Sequence, residues 1–237
     1  MKIFSWIIKD TSIDFLGYRK LAYALSAVLL AASIASVAVR GFNYGIDFSG
    51  GVLIEVKSKN GPVDVDKVRH ELDTLNLDEL NLQSFGDAQD ELMIRAQANN
   101  ADEESQRVAV KQIKEMLEND FTFERIESVG PQVGDELKLS GILASVFAML
   151  AISMYIWFRF EWKFAVGALL GLFHDLLITV GLVSIFHLDF SLTTIAAILT
   201  LAGYSVNDTV VTYDRVRENL QKYKKMPQYD LLNKSIN

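Results

Sequence analysis

Apolar residues run along this chain in two different rhythms. Leu21 to Val39, Leu139 to Phe158, Phe164 to Phe186 and Phe190 to Val211 are almost unbroken apolar runs. At ~1.5 Å per helical residue each can cross the ~30 Å hydrocarbon layer of a bilayer. The first is longer than a signal-peptide core, lacks a clear cleavage site and follows a 20-residue segment with its own apolar pattern, so it reads as a retained span.

Between the first and second runs the rhythm shortens. Val52, Ile54 and Val56 alternate with Leu53, Glu55 and Lys57, which predicts a strand; Val65, Val68, Leu72 and Leu75 then recur at helical spacing behind Pro62 and Asp64. Leu80 to Phe85 and Glu91 to Ala96 read as two strands of a hairpin joined by the turn-rich residues 86–90. Asp102 to Glu118 predicts a helix with Ala109, Ile113, Met116 and Leu117 on one face, and Phe121 to Val129 returns to strand. The order βαββαβ is the split-βαβ, ferredoxin-like plan. The expected fold is an α-helical integral membrane bundle with four spans, carrying an α+β ferredoxin-like extracytoplasmic domain.

Charge sets the expected orientation. Lys2, Lys9, Arg19 and Lys20 precede the first run, Arg159 and Lys163 join the second to the third, and Arg215, Arg217, Lys222, Lys224, Lys225 and Lys234 follow the fourth. Residues 41–56 and 187–189 contain no Lys or Arg. Positive-inside logic puts both ends of the chain in the cytoplasm. Residues 1–20 then form a cytoplasmic or interfacial segment, 21–39 the first span, 41–138 the extracytoplasmic domain, 139–212 spans two to four, and 213–237 a cytoplasmic amphipathic tail. Within the first segment, Ile3, Phe4, Trp6, Ile7 and Ile8 suggest a short interfacial helix. Residues 41–138 carry ten Lys and Arg against twenty-one Asp and Glu, so the total of −7 sums an acidic exterior and basic cytoplasmic edges. That exterior argues against nucleic-acid binding. With no cysteine in the chain, the domain cannot depend on disulfides.

Candidate chemistry lies in the third and fourth runs, where ionisable groups are costly and mark ion or proton pathways. Tyr204, Asp208, Thr212 and Arg215 share one helical face, with Gly203 and Asn207 beside it. Asp208 is the leading candidate for a carboxylate that gains and loses a proton. Arg215 is the residue that would neutralise it in a purely structural reading, unless its head reaches the aqueous interface instead. In the third run Gly167, Gly171, His174 and Gly181 fall near one line and predict close helix packing. Asp175 flanks that line. Two readings of His174 and Asp175 stay open: a polar pair that fixes helix register, and a proton relay. An aspartyl protease dyad of Asp175 and Asp208 is disfavoured by their different depths. Gly45, Gly50, Gly51, Gly130 and Gly134 flank the extracytoplasmic domain and are open to two readings, tight turns and a hinge. The domain shows no nucleophile beside a base and no metal-spaced His or Cys, and His70 on the polar side of its helix reads as solvated. No catalytic residue, metal or cofactor is expected.

Five motifs together carry a family resemblance. They are GIDFSGG at 45–51, VGPQVGDEL at 129–137, FRFEW at 158–162, His174-Asp175, and GYSVNDTVV at 203–211 running into DRVREN. In this order and spacing the chain resembles the SecD/SecF family of bacterial protein-export membrane proteins, and its SecF members in particular, over nearly its whole length. The family is similar to proton-driven transporters of the resistance-nodulation-division superfamily. The resemblance implies a non-enzymatic subunit of the bacterial inner membrane that, with SecD, uses the proton gradient to assist late export through SecYEG. YajC is a further implied partner, and an unfolded exported polypeptide and membrane lipid are the other contacts. The alternative from the residues alone is a passive assembly subunit. SecF members usually have six spans, with a basic residue early in the fifth that pairs functionally with the intramembrane acid. This chain has the acid without that residue, as a fragment or a short natural form would.

Overall fold

The computed structural model describes residues 13–75, 77, 79–86, 88–97 and 103–237, which fall into two compact units. One comprises Asn43–Ser145 and Asp189–Ile195; the other comprises the described part of Met1–Phe42 with Val146–Leu188 and Ala196–Asn237. The interfacial helix expected at Ile3 to Ile8 lies outside the described residues.

The first unit is built on a four-stranded antiparallel sheet. β2 (Gly51–Ser58), α3 (Val65–Leu72), β3 (Glu79–Phe85), β4 (Glu91–Gln97), α4 (Glu103–Leu117) and β5 (Phe121–Val129) follow in the expected order. The strands lie in the order β3-β4-β2-β5. The inward positions of the alternating strands, Val52, Ile54 and Val56 with Leu92, Ile94 and Ala96, meet Val68 and Leu72 of α3 and Ile113 and Leu117 of α4. Asp64 caps α3, its side chain accepting from the Lys67 N–H, which fixes where that helix begins. His70 is exposed, as its place on the helix predicts.

Two details of this unit differ from the expected pattern. Met116 is 36% exposed, while Gln106 is 2% exposed. The buried line of α4 runs through Gln106, Ala109, Ile113 and Leu117, and Met116 stands roughly 65° from its centre. Gln106 is buried because its amide is satisfied: it donates to the Val129 carbonyl at 3.2 Å and accepts from Ser128 Oγ at 2.9 Å. Along β5 the register with β2 shifts between Glu55 and Val56, which leaves Glu124 without an opposite residue and makes a bulge on an edge strand.

Ahead of the sheet come β1 (Asn43–Tyr44) and α2 (Ile46–Ser49). The GIDFSGG motif is therefore a short helical turn closed by two glycines in the left-handed region, Gly50 at φ 72° and Gly51 at φ 113°. After the sheet, α5 (Pro131–Arg159) begins earlier than its apolar run, because Pro131 sits at the first helical position, where its missing N–H costs nothing. VGPQVGDEL is thus mostly the opening of a helix.

In the second unit α1 (Arg19–Arg40), α6 (Trp162–Ile185) and α7 (Leu192–Lys222) are the long helices, joined by the later part of α5. With α5, and with the turn before α1 included, they form four helices of 24 to 31 residues that are long and apolar enough to cross a membrane. Between α6 and α7, β6 (Asp189–Phe190) pairs in parallel with β1 in the first unit. Ala165, Ala168 and Leu172 of α6 pack with Ile156 of α5 and Ala202 and Val206 of α7. The fourth helix continues well past Val211, and α8 (Gln228–Ile236) turns back on it, with Asn219 Nδ2 donating to Ser235 Oγ at 2.9 Å in a buried contact. The polar side of α8 also holds the segment before α1: Tyr229 and Asn233 both donate to Asp14 Oδ1 at 2.6 Å.

Two predictions follow from this packing. A Cβ on Gly51 would lie 2.9 Å from the Ala96 carbonyl oxygen at a φ no L-residue favours. Gly51→Ala is expected to lower stability by at least ~1–2 kcal/mol, read as a fall in the thermal midpoint in detergent. The hydrogen bonds from Tyr229 and Asn233 hold the Asp14 carboxyl below its ordinary value of 3.8. Its contribution is present above the unfolded value and is lost as pH falls through the folded one. The difference in midpoint between the native chain and Asp14→Asn should stay constant near neutrality and close below pH 3.8; a gap that persists in stronger acid would count against the contact.

Candidate functional site

The polar groups of α6 and α7 separate into two sets. His174 and Asp175 lie midway along α6, where His174 Nδ1 and Asp175 Oδ1 are 2.9 Å apart. Ser205 of α7 donates to the other carboxylate oxygen, Oδ2, at 2.6 Å. Asp175 thus hydrogen-bonds across the α6–α7 pair, and both its oxygens are engaged. His174 Nε2 is buried with no hydrogen-bond partner among the described residues. Sequence spacing does not single out Ser205. Its signal is faint: it lies in the same motif as Asp208, but about 60° round the helix and on the packed side.

Asp208 belongs to the second set. Tyr204, Asn207, Asp208, Thr212 and Arg215 are all exposed on one side of α7, whereas Ala202, Val206 and Val216 are buried on the other. Arg215 does not neutralise Asp208. Its guanidinium donates to Glu218 at 2.8 Å, one turn further from Asp208, which corrects the purely structural reading of the pair. Asp208 has no hydrogen bond or ion pair with another described residue. The two carboxylates do not form a proton-sharing dyad, because Asp175 is held by His174 and Ser205.

The glycines of α6 meet different surroundings. A Cβ on Gly181 would lie 2.1 Å from Ser33 Cβ, so α1 and α6 touch through these two residues. Nearby Ser36 and Ser184 hydroxyls are 2.9 Å apart, and Ser184 donates to the Gly41 carbonyl at 2.8 Å. A Cβ on Gly167 would lie 2.7 Å from the Tyr213 hydroxyl, whose ring packs edge-on against Phe160 and Phe164. Gly171 faces open space. The Arg159–Asp214 ion pair, from the FRFEW and DRVREN motifs, joins the end of α5 to α7.

Of the glycines flanking the sheet, Gly45, Gly50, Gly51 and Gly134 are in close quarters. A Cβ on Gly45 would lie 3.2 Å from Ser191 Cβ, and one on Gly134 would lie 3.4 Å from the Gly50 nitrogen. The Gly130 carbonyl accepts from Gly134 N–H at 2.9 Å within the opening turn of α5. Among the described residues no group of three His, Cys, Asp or Glu is placed to hold a metal ion.

Four long apolar helices, with a βαββαβ unit inserted between the first two and polar groups kept within the third and fourth, define a multi-span membrane protein. Residues 109–237 match the family described as protein export membrane protein SecD/SecF, C-terminal, and residues 35–61 match the SecD/SecF GG motif. Protein translocase subunit SecF of Magnetococcus marinus is 42% identical over 235 residues, covering 97% of this chain and 75% of the relative. The SecF subunit of Rickettsia rickettsii is 44% identical over 228 residues, covering 94% and 73%. The crystal structure of SecDF, a translocon-associated membrane protein from Thermus thermophilus, matches with a TM-score of 0.81 at 31% identity, over 96% of this chain. SecDF in its super-membrane-facing form matches with a TM-score of 0.63 at 32% identity. This chain spans 31% of each SecDF chain. The chain belongs to the SecD/SecF family of protein-export membrane proteins, among relatives that are SecF translocase subunits.

The Gly181–Ser33 contact generates a test of the α1–α6 pairing. Gly181→Ala should push the helices apart and cost ~1–3 kcal/mol, with Ser33→Gly restoring part of the loss because Ser33 Cα also lies within 2.6 Å. Thermal midpoints of the two single variants and the double variant measure this.

Proposed function

We propose that this chain is a SecF-type subunit that works with SecD to drive protein export with the proton gradient, and that Asp208 is the carboxylate that changes protonation. One observation carries the reading: an acid on an apolar helix, exposed beside Tyr204 and Asn207 and without an ionic partner among the described residues. In hydrocarbon such a face calls for cover by protein or for water that reaches it. A helix of the partner would supply that cover. Asp208 accepts a proton from the outer side, loses its charge and lets α7 repack; release to the cytoplasm restores the charge. One charge crossing the field yields ~2.3 kcal/mol per 100 mV, enough to bias two states a few kcal/mol apart.

In this proposal both ends of the four-span set are cytoplasmic and residues 41–138 are extracytoplasmic, as the placement of Lys and Arg favours. The strand order β3-β4-β2-β5 with its two crossing helices supports assigning that domain to the ferredoxin-like plan. The domain acts on the emerging polypeptide at the SecYEG channel, a role favoured by the description of the Thermus relative as translocon-associated. His174, Asp175 and Ser205 set the α6–α7 register, and the unpartnered His174 Nε2 offers the relay a place to begin.

A scaffold reading is favoured by the tight Gly181–Ser33 contact and the closed Asp175–Ser205 pair, which would serve assembly alone. Asp208→Asn in the full complex separates the two. Proton coupling predicts loss of gradient-dependent stimulation of export with complex yield unchanged. Full stimulation by the variant would remove the coupling reading, and a lower yield would favour the scaffold.

A further inference from the structure

We propose that residues 43–51 are a fixed clasp that binds the first turn of α7 to the sheet, with Asp47 as its cap and the Arg95–Asp189 pair as its tie. It rests on the reading above in one respect, the movement of α7 that it would pass to the sheet.

A helix begins with N–H groups that have no partner inside it. In α7 two of these are taken from outside the helix: Ser191 Oγ accepts from the Thr194 N–H at 3.2 Å, and Asp47 Oδ2 accepts from the Leu192 N–H at 2.8 Å. Ser191 is an ordinary local cap. Asp47 lies 145 residues earlier in the chain, so a carboxylate from the GIDFSGG motif closes a helix at the other end of the sequence. Its negative charge also suits the positive end of the helix dipole.

Asp189 adds the second attachment. Its carboxylate accepts from Asn43 Nδ2 at 2.7 Å and forms an ion pair with Arg95 of β4, and its carbonyl accepts from Thr194 Oγ1 at 2.6 Å. The Arg95 side chain is only 16% exposed, so loss of one partner leaves a poorly hydrated charge on the other. Main-chain pairing joins the same segments: Asn43 and Tyr44 lie beside Asp189 and Phe190 in parallel, and the Gly45 N–H donates to the Phe190 carbonyl at 2.9 Å. Tyr44, Phe48 and Phe190 fill the angle with ring centroids 6.0 to 6.3 Å apart.

The glycines complete the case. The Gly45 carbonyl accepts from the N–H groups of Phe48 and Ser49, at 3.0 and 3.1 Å. Gly51 is in the β2 ladder against Val129 and has no room for a Cβ beside Ala96. A joint needs few contacts and torsions free to change. These glycines have the opposite surroundings, so their smallness serves close approach. The sheet and the first turn of α7 then move as one body, and a shift of the fourth span is delivered to the sheet without slack.

The chain has no native cysteine, so a cysteine pair at Tyr44 and Phe190 can lock the clasp. Paired strands ~4.8 Å apart are within disulfide reach. In the assembled complex in proteoliposomes, the oxidised Tyr44→Cys/Phe190→Cys variant should keep gradient-dependent stimulation of export. Loss on oxidation with recovery on reduction would show that the segments must part, and would overturn the proposal. Asp47→Ala and Arg95→Gln should raise amide exchange by about tenfold in peptides covering 43–49 and 189–195, leave 52–56 and 92–96 unchanged, and cut stimulation severalfold at equal complex yield. Arg95→Asp with Asp189→Arg should recover part of both, because the swapped pair restores the ion pair but not the bond that Asp189 accepts from Asn43. Unchanged exchange, or loosened exchange with full stimulation, would also overturn it. Asp208→Asn measured in parallel keeps the two readings apart, because full stimulation by that variant removes the proton site and leaves the clasp to be judged on its own variants.

Discussion

Apolar contact holds a protein together only where the alternative is water, and the two units of this chain are built for different alternatives. In the sheet unit, burial of Ile54, Leu72, Ile94 and Ile113 is driven by exclusion from water and gives a conventional close-packed core. Between helices in lipid that drive is absent, and association depends on close backbone approach and on polar groups with nowhere else to bond. Gly181 against Ser33, the Ser36–Ser184 hydroxyl pair and the Asp175–Ser205 bond are contacts of that second kind. Leu139, Phe147, Leu150 and Phe158 meanwhile stay on the outside of α5, as lipid-facing positions should.

The same constraint sets two acids of the apolar helices in unlike surroundings. Asp175 has its hydrogen-bonding capacity used by His174 and Ser205, and a carboxylate held in this way is suited to fixing the register of α6 against α7. Asp208 stands on the outward side of α7 with Tyr204 and Asn207 and is suited to a changing environment. Sequence spacing placed the two acids at different depths; packing shows that their partners differ too.

Much of the fold was legible because its signals are local and strong. The four apolar runs became four long helices, and the alternation of Val52, Ile54 and Val56 marked the inward face of β2. What escaped depends on partners distant in sequence. Gln106 reads as a surface residue until Ser128 and the Val129 carbonyl are seen to satisfy it. Ser205 has no meaning without Asp175, and periodicity alone could not reveal that Asp47 reaches the start of α7. Arg215 shares a face with Asp208, and only the structure shows that its anion is Glu218. The glycine motifs showed where the chain is tight without showing which backbone presses on it.

The edge strand β5 has a consequence of its own. Its bulge at Glu124 and the mixed charges of Arg125 and Glu127 interrupt the straight row of main-chain groups that an open edge offers. In the proposed role beside extended, newly translocated segments, such a sheet would run a constant risk of annealing with them. The kinked, charged border makes such pairing unrewarding, so in that role a passing chain would be touched without being captured.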